Sequence, residues 1–109
     1  MAEKSDVCLR FIMGMLPFVA GAKAYAEQWL FPAGSCNNQR FYEEHISFGD
    51  NVPEEMRMLL FTPETSGGLL AAIPPQALPK LSELCAARPV TYWVIGRVLM
   101  GKGIEVIGS

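Results

Sequence analysis

The sequence predicts an α+β domain in which helices pack on a mixed sheet. Three observations carry that class. Apolar residues alternate from Val7 onward, two segments beginning near Phe18 and Leu78 repeat apolar residues at helical spacing, and the stretch from Val90 is rich in Val, Ile, Tyr and Trp. The last of these residue types suit a pleated, half-buried surface. A chain of 109 residues suits one domain, or one large piece of a domain, and no internal repeat or low-complexity tract divides it. Half of its residues are apolar and 18% are charged, the composition of a chain that folds.

Each element follows in order. Val7, Leu9, Phe11 and Met13 share one face while Cys8, Arg10 and Ile12 share the other, which predicts a strand from Val7 to Met13, stopped by Gly14. After Pro17 the period changes: Phe18, Ala22, Tyr25, Ala26 and Trp29 stack along one side of a helix expected from Phe18 to Leu30 and closed by Pro32. The segment PAGSCNNQRFYEEHISFGDNVPEE holds the densest turn chemistry and is expected to be mostly loop, with a helical turn around Gln39 to His45.

Pro53-Glu54-Glu55 then places a proline and two carboxylates where a first helical turn tolerates the missing N–H and welcomes negative charge. A short helix should follow to Leu60. The run GLLAAI, bounded by Gly-Gly and Pro-Pro, predicts a strand from Gly68 to Ile73 buried on both faces. Leu78, Leu81, Leu84 and Cys85 mark a second helix to Ala87 with Pro79 in its first turn. Two closing strands, Val90 to Met100 and Ile104 to Ile107, are expected to form an antiparallel hairpin across Gly101-Lys102-Gly103, with Gly96 marking a bend or bulge.

Charge and cysteine usage exclude several function classes. Nine basic and eleven acidic residues are spread thinly, so no basic stripe is present to neutralise a phosphate backbone, and nucleic acid is not an expected partner. Cys8, Cys36 and Cys85 are odd in number and widely spaced, and His45 is the single histidine, which supports neither a disulfide framework nor a zinc site. The apolar run from Phe11 to Ala22 is broken by Gly14, Pro17 and Gly21 and lacks the flanks of a secretory signal. It reads as core, and the expectation is a cytoplasmic protein without a membrane span.

Thr65, Ser66, Gly67 and Gly68 admit two readings. They form either a loop whose hydroxyls and successive N–H groups face an anion across a cleft, or a turn that needs glycine dihedrals and bonds its own backbone. His45 beside Glu43 and Glu44 lacks a third ligand and reads as an exposed side chain on a helical turn. Trp29 and Trp93 read as core or interface anchors.

A family resemblance joins these segments. The stretch TPETSGGLLAAIPP resembles the D-P-Q-T-S-G-G-L-L-x-A-x-P-P segment of selenophosphate synthetases (selenide, water dikinases), relatives of aminoimidazole ribonucleotide synthetase. MLPFVAGAKAYAEQWLFPAGSCNN is similar to that family's L-P-x-x-x-G-A-x-x-x-A-x-x-x-x-x-P-G-G-[TS]-x-x-N, through Leu16, Pro17, Gly21, Ala22, Ala26, Pro32, Gly34, Ser35 and Asn38. VIGRVLMGKGIEVI resembles its closing V-I-G-x-V-x-x-G-x-G-I-x-V. The three segments keep the family's order and cover Leu16 to Ile107.

The resemblance implies an α+β carboxy-terminal domain packed against a separate ATP-binding domain, in an enzyme that converts ATP, selenide and water to selenophosphate, AMP and phosphate with magnesium. The family's glycine-rich segment with its catalytic cysteine or selenocysteine and lysine, its magnesium-holding aspartates and its T-D-V-T-G-F-G-L-L-G-H segment have no counterpart in these residues. Residues 1–109 are therefore expected to be a single carboxy-terminal-type domain, the last third of such an enzyme. No catalytic residue and no metal site are assigned to it, and ATP and magnesium belong to the full-length enzyme.

Gly34, Ser35 and Asn38 are implied to structure a loop, Asn38 by bonding backbone, and Thr65, Ser66, Gly67 and Gly68 to face the nucleotide cleft. The implied partner is an upstream ATP-binding domain or parent chain. An incomplete sheet with an open edge further implies a homodimer by strand pairing or exchange. Thr62 and Glu64 depart from the family's D-P-Q, and Ala33 replaces the first glycine of its P-G-G-[TS]. Those departures keep open a non-catalytic interaction module of the same fold, and a fragment of a related ATP-dependent synthetase ranks third.

Overall fold

In the computed structural model, which describes residues 1–108, the alternating stretch forms β1 (Cys8–Ile12), preceded by one helical turn, α1 (Ala2–Ser5). A 3-10 turn at Met13–Met15 follows, then α2 (Ala22–Glu27), α3 (Ala33–Tyr42), a 3-10 turn at Glu43–His45 and β2 (Ile46–Phe48). The chain continues through α4 (Glu54–Leu59), a 3-10 turn at Pro75–Ala77, α5 (Leu78–Ala87), β3 (Gly96–Leu99) and β4 (Gly103–Ile107). The class is α+β with a mixed sheet, as the sequence predicts.

The four strands lie in the order β2-β4-β1-β3. β4 runs parallel to both β1 and β2, whereas β3 is antiparallel to β1. In this register Leu9, Ile104 and Ile46 sit side by side, as do Phe11, Val106 and Phe48. Because strand side chains alternate, these six share one face. That face packs on Met13, Val52, Met56 and Leu60 to make the core. Arg10 and Glu105 are direct partners on the other face, where they form an ion pair at 2.6 Å. Both are part-exposed, so the pair sets register more than it adds stability.

Four expectations are corrected. The closing strands are not a hairpin, because β1 lies between them and Cys8 is registered with both Leu99 and Gly103. The connection steps over the end of β1, with positive φ at Gly101 and Gly103. Local turn chemistry had suggested direct pairing, but burying both sides of the apolar strand β1 wins. Second, Gly68–Ile73 is not a strand: it is exposed along its length, with Leu69 fully open to solvent. Among the described residues no strand pairs with it.

Third, the helix expected from Phe18 to Leu30 is confined to Ala22–Glu27, since Gly21 enters it from the left-handed region and Trp29 leaves it at φ 60°. Trp29 and Trp93 are exposed, so neither is a core anchor. Fourth, the segment read as loop holds the ten-residue α3 and the strand β2. Tertiary contacts override the weak helix propensity of its Gly, Ser and Asn residues.

Arg57 was invisible to sequence reasoning. From α4 its Nε donates to the Val52 carbonyl at 2.8 Å and its Nη2 to the Gly49 carbonyl at 3.2 Å, while the guanidinium lies 5.4 Å from the Phe48 ring centre. It ties the turn after β2 to the helix that covers the sheet. Arg57→Ala should lower unfolding free energy by about 2 kcal/mol, since charge-assisted bonds to half-buried carbonyls are lost. Urea denaturation with an unchanged slope is the check.

Candidate functional site

The resemblance segments meet in space through α3. Pro32 takes the position before the helix, where it needs no N–H, and its carbonyl accepts from the Ser35 N–H. Gly34 and Asn38 then fall one turn apart on the same side. A Cβ at Gly34 would lie 3.0 Å from Cγ of Pro63, so glycine permits this close contact. Asn38 Nδ2 donates to the Phe61 carbonyl at 2.9 Å. Gly34 and Asn38 thus grip residues 61–63, which lead straight into the turn at Thr65–Ser66. They do so from a helix, not from the loop expected for them. Nothing local in the sequence marks Phe61 and Pro63 as their neighbours.

The turn itself is exposed from Pro63 through Gly68. Neither Gly67 nor Gly68 has a positive φ. A Cβ on Gly68 would meet nothing within 4 Å, and one on Gly67 only Glu64 Oε2 at 3.9 Å. Within this chain, then, neither backbone conformation nor neighbouring atoms require the two glycines. No lysine or arginine occurs between Thr62 and Pro79 to balance an anion. Ala33 opens α3 without a positive φ, so the alanine imposes no strain there.

Two hydroxyls beside this grip are buried without a hydrogen-bond partner. They are Oγ of Ser35, a residue with no solvent exposure, and Oγ1 of Thr62. An unpaired buried hydroxyl costs stability, and alanine is the better helix former. Ser35→Ala should therefore raise the unfolding free energy of the chain by about 0.5–1 kcal/mol, measured by chemical denaturation. A cavity of about 260 Å³ lies alongside, lined by Asn38, Tyr42, His45, Phe61 and Thr62 among others. Its lining contains no lysine or arginine. His45 points to solvent and approaches Glu44 at 3.4 Å.

Among the described residues no three His, Cys, Asp or Glu side chains converge in a way that could hold a metal ion. Cys8, Cys36 and Cys85 are free thiols. The arrangement can present backbone N–H groups, the Thr65 and Ser66 hydroxyls and the Glu64 carboxylate on an anchored, open loop. Among the described residues no helix is long and apolar enough to cross a membrane.

Comparison with known proteins gives these features a setting. Residues 1–109 match the family described as AIR synthase related protein, C-terminal domain. The chain is 34% identical over 107 residues to the selenide, water dikinase of Trichlorobacter lovleyi, covering 98% of this chain and 31% of that protein. It is 33% identical over 100 residues to that of Clostridium botulinum, covering 91% and 29%. With that of Pelobacter propionicus it shares 37% identity over 81 residues, covering 74% and 23%. The chain thus spans less than a third of the length of these curated relatives.

Proposed function

We propose a function from the premise that this chain belongs to the AIR synthase related protein family as its C-terminal domain. In our reading it is the carboxy-terminal part of a selenophosphate synthetase. The complete enzyme would turn ATP, selenide and water into selenophosphate, AMP and phosphate. This part completes the nucleotide cleft and is inactive alone. The observation that carries the reading is the Gly67-Gly68 pair, exposed, free of unusual dihedrals and free of contacts that would exclude a side chain. A glycine pair with no internal reason is explained by something outside the chain that comes close to the backbone.

Asn38 and Gly34 then act as positioning residues, because they hold residues 61–63 against α3 and so aim the turn. The nucleotide's phosphates, when bound, supply the reacting group. The cation, the magnesium ligands and the nucleophile would come from the rest of the enzyme. A second reading, a non-catalytic module of the same fold, is favoured by Thr62. Its hydroxyl is buried without a partner where the resemblance has a carboxylate.

One experiment separates the readings. The matching last third of the Trichlorobacter lovleyi enzyme is replaced by residues 1–109, and selenide-dependent AMP release is measured for the chimera and for this chain alone. The expected result is activity in the chimera and none in the isolated chain. A folded, soluble chimera without AMP release favours the non-catalytic module, and turnover by the isolated chain refutes its inactivity.

A further inference from the structure

We draw no further inference here: the strongest candidate, the surface patch at the C-terminal end of α2 where Tyr25, Trp29 and Leu30 are exposed and Trp29 holds a positive φ, is an unpartnered apolar face, and nothing in the structure shows what covers it.

Discussion

Gly96→Ala should unfold much of the sheet's stability, lowering the unfolding free energy by about 3 kcal/mol. Gly96 opens β3 opposite Phe11, and a Cβ there would run into the Arg10 carbonyl oxygen of the central strand. It would also approach the Arg10 carbonyl carbon at 3.0 Å and the Phe11 Cα at 3.1 Å. All three are backbone atoms of a strand held by β3 on one side and β4 on the other. They cannot retreat without breaking pairing, unlike the tip of a flexible side chain. For a domain of this size the loss is about 10–20 °C in melting temperature. Gly14→Ala is the matched control: its Cβ would meet only the Gly108 carbonyl at 3.7 Å, an ordinary contact. A Gly96→Ala melt within 3 °C of the parent would show that β3 does not lie against β1 in this register.

The second large effect is one of function without stability. Gly68→Val should leave the melting temperature of the 109-residue chain within about 2 °C, because the position is open and its φ suits an ordinary residue. In the active chimera the same substitution should cut AMP release by about 100-fold, the size of loss that a misplacement of about 1 Å at a reacting group produces. Equal activity of the substituted and parent chimeras would remove the reason given for the glycine pair. A large drop in stability of the isolated chain would instead give the glycine a role inside the fold.

The candidate site was legible in part. The order of the three segments pointed to Thr65–Gly68 and to Gly34, Ser35 and Asn38 together, but only as parts of a resemblance. Their physical connection, from Asn38 to the Phe61 carbonyl and from Gly34 to Pro63, spans more than twenty residues and has no local signature. Arg57 was missed for the same reason, since its partners are backbone carbonyls, which every sequence has. The buried hydroxyls of Ser35 and Thr62 were likewise unreadable, because burial is a property of the assembled fold.

What the sequence by itself determined is the local and periodic part of this protein. Alternation specified β1, Pro53 and its two carboxylates specified α4, and leucine spacing with Pro79 in the first turn specified α5. Such features depend on neighbours within a few residues, so a short window contains their cause. The tertiary structure alone decided which strands pair. β1 is inserted between β3 and β4 although a three-residue connection joins those two, because the apolar central strand gains burial from neighbours on both sides. It also decided that Gly68–Ile73 stays unpaired, since a strand exists only when another backbone takes up its hydrogen bonds, and among the described residues none does.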